Sequence, residues 1–170
     1  MKRMILSLGI CMWMGAGTVL ADEDEADRNF RRDFLSAPGY PEYKKECGSC
    51  HMAYPPGLLS GDAWQEIMAG LGRHFGDNAE LEEKRRQKLT AYLVRYASDR
   101  QKSRHHRQEP TRITQLRWFR HEHDEIPERL VKGNDKVRSL SNCNACHRRA
   151  EQATFPEREI SIPGHGRWDD

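Results

Sequence analysis

The sequence has almost no excess of charge of either sign. Its 28 Lys and Arg residues are nearly matched by 26 Asp and Glu residues. Lys2 and Arg3 are the only charged residues before Asp22, so residues 22–170 are formally neutral. A protein that binds nucleic acid needs a clear basic excess to meet the phosphate charge. We therefore expect no nucleic-acid partner.

Apolar residues and strand patterns are also scarce. Charged residues make up 32% of the chain, and the mean hydropathy is −0.92. Such a chain buries only a modest apolar core by itself. No segment has a strong strand pattern, which excludes the βαβ framework of a thioredoxin-like dithiol. The fold is predicted to be mainly α.

What the chain does have is a C-x-x-C-H motif that occurs twice. Its residues are Cys47, Cys50 and His51 in the first copy, and Cys143, Cys146 and His147 in the second. A zinc site would need further thiolate or imidazole ligands, and a redox dithiol would need only the two cysteines. Haem attachment explains all three residues, because two thiols add to the porphyrin vinyl groups and the histidine becomes an axial iron ligand. We predict two covalently bound haem c groups, which would also supply the missing apolar mass.

The N-terminal segment indicates export. Residues 1–3 are basic, residues 4–20 are apolar, and Ala21 precedes an acidic run. This pattern predicts a secretory signal peptide cleaved after Ala21 and hence a periplasmic protein, in agreement with covalent haem attachment. An uncleaved membrane anchor is the alternative, since the apolar run approaches spanning length. Cleavage would remove Cys11 and leave only the four motif cysteines.

A polar, basic stretch at residues 98–110 divides the chain. We interpret it as a linker, with a partner-docking patch as the alternative. The predicted organisation is a signal peptide at residues 1–21, an N-terminal haem c domain at 22–104 and a C-terminal haem c domain at 105–170.

The N-terminal half predicts two amphipathic helices after a turn-rich loop, "YPPGLLSGD". Apolar residues recur at i, i+3, i+4 and i+7. They are Trp64, Ile67, Met68 and Leu71 in the first helix and Leu89, Tyr92, Leu93 and Tyr96 in the second. Asn78 or Asp77 is the expected N-cap of the second helix. This order resembles a reduced class I cytochrome c domain.

The C-terminal half is predicted to be short and loop-rich. A brief apolar segment is followed by a histidine-rich polar stretch, and the second motif lies near the C-terminus. The residues after the motif are expected to form an extended tail along the haem edge.

The motifs themselves supply the proximal iron ligands, His51 and His147, whereas the residues alone leave several candidates for the distal ligands. For the first haem, Met52 lies too close to His51 to reach the far face. Met68 is interpreted as a packing residue on its helix. His74, at a glycine-rich turn, is either the distal ligand or a surface histidine. For the second haem spacing does not choose among His105, His106, His121, His123 and His165.

The chain resembles the small dihaem cytochromes c of bacteria, the DHC family. The stretches that carry this resemblance are "CGSCH", "WQEIMAGLGRHFGDNAELEE", "RITQLRWFRHEHDEI", "NCNACHRRAEQATF" and "ISIPG". The resemblance implies that His74 is the distal ligand of the first haem and His123 that of the second. Both irons would then be bis-histidine. His121 and His165 are additional to the family's pattern.

Two properties of the residues also favour His123. On a helix it lies at i+4 from Phe119 and shares its face, whereas His121 lies at i+2. Glycines flank His165 on both sides, so ordering it would cost more backbone entropy.

The resemblance implies a periplasmic carrier of single electrons rather than an enzyme. Its partners would be a membrane-bound cytochrome b and a small soluble monohaem cytochrome, and no substrate would bind at iron. Few methionines favour low potentials, because His/Met ligation raises the potential. The alternatives are an electron-delivering subunit of a periplasmic reductase and a haem enzyme or gas sensor with one open iron site.

Overall fold

A computed structural model describes residues 33–98 and 110–168. The predicted signal peptide, most of the predicted linker with His105 and His106, and the proposed boundary between residues 104 and 105 lie outside the described residues. Within the described ranges, no helix is both long enough and apolar enough to cross a membrane.

The described residues form a mainly helical fold, as predicted. The helices that lie wholly within the described ranges are α1 (Tyr40–Cys47), α2 (Gly61–Ala69), α3 (Glu83–Arg95), α4 (Arg117–His121) and α5 (Glu128–Val131), and the strands are β1 (Ser161–Ile162) and β2 (Gly166–Arg167). Short 3-10 turns connect them, including one at Pro56–Leu58 inside the loop that was expected to be irregular.

Helix α2 follows the predicted apolar face. Ser60 caps its N-terminus, where the hydroxyl oxygen accepts a hydrogen bond from the Ala63 amide at 3.2 Å. Trp64, Ile67 and Met68 are buried. The Trp64 ring nitrogen donates to the Pro56 carbonyl at 2.7 Å, which ties the helix to the preceding loop.

Helix α3 starts later than predicted, so the expected cap at Asn78 or Asp77 is wrong. Its cap is Glu82, whose carboxylate accepts hydrogen bonds from the Lys84 and Arg85 amides at 3.0 and 3.2 Å. Asn78 instead accepts from the Glu80 amide, and the Ala79 amide donates to the Leu71 carbonyl at 2.9 Å. These bonds hold residues 78–80 against the residues that follow α2. Helix α3 therefore begins about one turn later than predicted.

The main hydrophobic core draws on both halves of the chain. Leu89, Leu93 and Phe34 are almost fully buried in it, and Leu116, Phe119 and Ala153 join them from beyond the predicted linker. A smaller cluster contains Val131, Val137 and Ile162 and packs beside the second motif. The N-terminal half therefore shares its core with the C-terminal half.

The C-terminal tail folds into a small hairpin rather than remaining extended. Strands β1 and β2 pair in antiparallel fashion, with Ser161 opposite Arg167. Pro163 and Gly164, with φ of +80° at the glycine, form the turn between them. The Ser161 amide donates to the Cys146 carbonyl at 3.1 Å, so the hairpin lies against the second motif.

Candidate haem-binding sites

The first motif begins at the end of helix α1. Cys47 is the last residue of the helix, and the Gly48 amide closes it by donating to the Lys44 carbonyl at 2.9 Å. Burial raises the pKa of the Cys47 thiol to about 11. The chain then turns, so that Cys50 is exposed and His51 is half-buried. This turn brings both thiols and one imidazole to the edge of a single cavity.

The His51 ring is oriented by a hydrogen bond to the next residue in the chain. Its Nδ1 lies 2.6 Å from the Met52 carbonyl oxygen, and since a carbonyl only accepts, the ring nitrogen donates. The Nε2 atom then keeps a lone pair for a metal, the usual arrangement for a ligating histidine.

His74 faces His51 across a gap that matches one iron. The two ring centroids are 6.0 Å apart and the ring planes differ by 21°. A metal–imidazole bond is about 2 Å long and the ring centre lies roughly 1 Å further, so two rings on opposite faces of one ion have centroids about 6 Å apart. Burial and the neighbouring His51 lower the pKa of His74, which keeps its ring neutral and able to coordinate. His51 and His74 are the two residues that the resemblance implies as ligands of the first haem, and that assignment stays a prediction.

The cavity between these rings has a volume of about 330 Å³ and is largely apolar. Trp64 and Met68 of α2 line it, and Met68 is only 2% exposed within the main core. The C-terminal half supplies the opposite wall through Ile113, Phe119 and other residues.

The second motif lies on a 3-10 turn, Cys143–Ala145, which the His147 amide extends by donating to the Cys143 carbonyl at 2.8 Å. Burial raises the pKa of the Cys143 thiol to about 11. His147 Nδ1 is buried and has no hydrogen-bond partner in the described part of the chain. Phe155 packs its ring against the same imidazole at 5.3 Å.

His123 faces His147 as the second pair. Their ring centroids are 6.2 Å apart, and the planes differ by 69°. His123 Nδ1 donates to the Phe119 carbonyl at 2.8 Å, and its ring stacks on the Phe119 ring at 4.0 Å and 10°. This contact follows the i+4 spacing predicted from the sequence, although His123 lies in the turn just after α4.

The two competing histidines within the described ranges, His121 and His165, lie elsewhere. The His121 side chain is 81% exposed, and its Nδ1 is 3.8 Å from a carboxylate oxygen of Asp124. His165 lies in the exposed turn of the hairpin beside Trp168, with ring centroids 5.6 Å apart. The structure pairs neither of them with His147.

Residues that join the two sites were not found by sequence reasoning. The Tyr54 ring stacks on His51 at 4.9 Å, and its hydroxyl donates to the Ser141 carbonyl at 2.7 Å. Ser141 precedes Cys143 by two residues, and Cys143 itself lines the first cavity. The two partners are 87 positions apart in the chain, and no local pattern marks such a contact.

Both sites have the donors that a covalently bound haem requires. Each has two thiols, an imidazole that directly follows them, and a second imidazole at the spacing of one iron. Within residues 33–98 and 110–168, no group of three or more His, Cys, Asp or Glu side chains is arranged to hold a single metal ion. The donor sets therefore fit a ligand that carries its own equatorial nitrogens.

Comparison with known proteins agrees with this donor set. The sequence model of the dihaem cytochrome c family matches residues 43–155, a stretch that includes both motifs. No curated protein matches the chain.

Solved structures are similar over most of the chain. An X-ray structure of a dihaem cytochrome c from Shewanella baltica has 46% identity and a TM-score of 0.69, and the match covers 78% of this chain and 100% of that one. A crystal structure of DHC from Rhodobacter sphaeroides has 42% identity and a TM-score of 0.57, with 68% and 96% covered. A second structure of the dihaem cytochrome c from that organism has 40% identity and a TM-score of 0.61, with 68% and 95% covered.

Proposed function

The chain belongs to the dihaem cytochrome c family, and from that premise we propose that it is a periplasmic single-electron carrier whose two low-spin haems are each held by two histidines. Membership of the family makes it an electron-transfer cytochrome with two haem c groups. The finer assignments rest on the geometry of the two histidine pairs and on the sequence.

Each haem would be held by residues from two parts of the chain. The attachment cysteines are Cys47 and Cys50 for the first haem and Cys143 and Cys146 for the second, the proximal ligands are His51 and His147, and the distal ligands are His74 and His123. When bound, haem c supplies a one-electron Fe(III)/Fe(II) couple. The protein orients the four imidazoles, excludes water from the porphyrin faces and adjusts the potentials through burial and hydrogen bonds.

The observation that carries this proposal is the pair of imidazole gaps, 6.0 Å between His51 and His74 and 6.2 Å between His123 and His147. A haem held by two histidines would exchange an electron without gaining or losing a protein ligand. Neither Met52 nor Met68 would hold an iron in this arrangement, since Met52 follows His51 directly and Met68 packs in the core. Bis-histidine ligation favours a lower potential than His/Met ligation.

Electrons would pass between the two haems inside one molecule. Tyr54 connects the two regions, because its ring stacks on His51 and its hydroxyl bonds to the carbonyl of Ser141. Phe119 lines the first cavity and stacks on His123 of the second site. These contacts support electron exchange over a short distance.

The ligand assignment is tested by four single substitutions. His74→Ala and His123→Ala are each expected to convert one of the two haems from low-spin to high-spin, as measured by visible spectra in both redox states. His121→Ala and His165→Ala are matched controls and should leave both haems low-spin. Low-spin haems in His74→Ala, or a high-spin haem in either control, would assign the ligand to a different residue.

The location and partners are proposed from the sequence and its family resemblance. We expect the mature protein in the periplasmic fraction, with an intact mass that corresponds to residues 22–170 plus two haems. A membrane-bound cytochrome b is the proposed donor and a small soluble monohaem cytochrome the proposed acceptor. Stable co-purification with a large catalytic partner would instead indicate a reductase subunit.

A further inference from the structure

The two proposed distal histidines are held very differently. His123 has a hydrogen bond from Nδ1 to a backbone carbonyl and lies flat on a ring that is 4% exposed. The His74 imidazole has no hydrogen bond to any residue in the described ranges. Its only aromatic neighbours there are His51, across the gap for the iron, and Phe75, at 4.9 Å. A hydrogen bond to the second ring nitrogen normally fixes a ligating histidine and strengthens its bond to the metal.

The backbone around His74 is strained. The Asp77 amide donates to the His74 carbonyl at 3.1 Å and closes a tight turn through Phe75 and Gly76. Both central residues have positive φ, +55° at Phe75 and +117° at Gly76. That conformation is unfavourable for a bulky aromatic residue, which is also 42% exposed. The turn that carries His74 is held by the hydrogen bond from Asp77 and by the Arg112 guanidinium, which lies 4.3 Å from the centre of the Phe75 ring. The His74 imidazole itself takes part in neither contact.

His74 also lines a second cavity. It has a volume of about 290 Å³ and is lined by Glu66, Gly70, Arg73, His74 and Thr111, among others. Glu66 and Arg73 are exposed, so a ring that moved into this space would meet polar side chains and water. His74 thus lines both the haem cavity and a second, more polar cavity.

From these three observations we propose that His74 is a displaceable ligand, and that the reduced first haem binds a neutral diatomic molecule such as carbon monoxide while the imidazole moves into the second cavity. The inference rests on the proposed ligation of the first haem by His74. The exchange breaks the iron–nitrogen bond to His74 and forms one bond from iron to the diatomic molecule, with no net transfer of electrons or protons. The second haem stays closed, because His123 is held by Phe119. The sequence-based expectation of two closed irons then applies only to the second haem.

The test is a carbon monoxide titration of the dithionite-reduced, fully loaded protein, followed by visible absorption. The unmodified protein should bind one carbon monoxide per molecule. His74→Ala should also bind one, at least tenfold more tightly, since no imidazole competes with the gas. His123→Ala should bind two, one at each haem.

A cavity-filling variant tests the proposed space for the displaced ring. A Cβ atom at Gly70 would make only ordinary contacts, with the Glu66 carbonyl oxygen nearest at 3.5 Å, so the first atom of a larger side chain fits there. Gly70→Leu should weaken carbon monoxide binding severalfold and leave the spectrum without carbon monoxide unchanged. His121→Ala, on the exposed surface, should bind like the unmodified protein.

The outcomes distinguish a failure of the displacement proposal from a failure of the proposed ligation by His74. If the unmodified protein binds no carbon monoxide while His74→Ala binds one, His74 is a ligand but is not displaceable, and this inference is overturned. If His74→Ala binds two and His123→Ala binds one, the second haem is the labile one and the inference is also overturned. If both haems of His74→Ala stay low-spin and bind no carbon monoxide, the proposed ligation itself is wrong.

Discussion

Phe119 is the side chain that contacts both haem regions most directly. Its ring lines the first cavity, stacks on His123 at 4.0 Å and is 4% exposed, while its carbonyl accepts the hydrogen bond from His123 Nδ1. The hydrogen bond to the backbone carbonyl does not depend on which side chain occupies position 119. The ring stacking does. A substitution here therefore separates the two ways in which His123 is held.

We predict that Phe119→Leu loosens His123 without releasing it. The carbonyl still accepts its hydrogen bond, whereas the flat surface under the imidazole is lost. The cost in stability should be about 1–2 kcal/mol, below the 3–5 kcal/mol typical of a buried Phe→Ala change. The measurement is a redox titration of both haems together with low-temperature electron paramagnetic resonance.

The neighbouring residue offers the control for that experiment. Trp118 precedes Phe119 and is 40% exposed, so Trp118→Leu changes a large aromatic residue without touching the His123 ring surface. Only the Phe119 variant should shift the potential and the resonance signal of the second haem. Equal shifts in both variants would mean that the effect comes from α4 as a whole.

At the scale of elements, the attachment helix is positioned by close packing against α3. Gly39, just before α1, approaches the Tyr92 ring of α3, and Tyr43 of α1 packs on the same ring with centroids 5.5 Å apart. A Cβ atom added at Gly39 would lie 2.7 Å from the Tyr92 Cδ2 atom. Because the motif starts at the end of α1, this contact sets the position of Cys47.

Gly39→Ala is therefore expected to destabilise the protein by about 1–3 kcal/mol, the range for overpacking a well-filled site. Gly61→Ala is the matched control, since its Cβ atom would lie 3.4 Å from the Val94 Cγ1 atom and it adds a helix-favouring residue at the start of α2. Denaturant unfolding followed by haem absorbance measures both. A Gly39 variant as stable as the Gly61 variant would show that α1 moves freely against α3.

Whether an element could be predicted depended on how far apart in the sequence the interacting residues lie. The buried face of α2 was predicted because its residues repeat every three to four positions along one helix. The start of α3 was not, since the Ala79–Leu71 bond competes with helix formation at that point. The hairpin was missed because strands of two residues are too short to show an alternating pattern.

The residues of the candidate site also divide into those that the sequence predicts and those that it does not. Both attachment motifs, with His51 and His147, are contiguous in the sequence and were predicted from spacing alone. The choice of His74 and His123 came largely from the family resemblance, and it stays a prediction that the ring geometry supports. Tyr54 and Ser141 meet only after the chain has folded, so no sequence pattern reveals their contact.

At the scale of the whole molecule, the two predicted haem domains share structure. The boundary at residues 104 and 105 stays a prediction, but the main core includes Leu116, Phe119 and Ala153 from beyond it. An exposed ion pair between Lys44 and Glu151 also joins the halves, although such pairs contribute little to stability. We attribute the coupling to the shared apolar core and to the common wall of the first cavity.

This coupling predicts that loss of the second haem weakens the first site. In the double variant Cys143→Ser, Cys146→Ser, the first haem stays attached through Cys47 and Cys50. Its cavity wall, however, includes Cys143 and lies beside residues that the second haem would hold in place. A loss of about 2 kcal/mol would lower the melting temperature by at least roughly 4 °C. Melting followed at the absorbance of the remaining haem measures the change.

Asn144→Ser is the control for this experiment. It lies inside the same motif but is not an attachment residue, so this variant should melt like the unmodified protein. If the double variant melts at the unmodified temperature, the two halves are independent domains and the shared core contributes nothing to the first site.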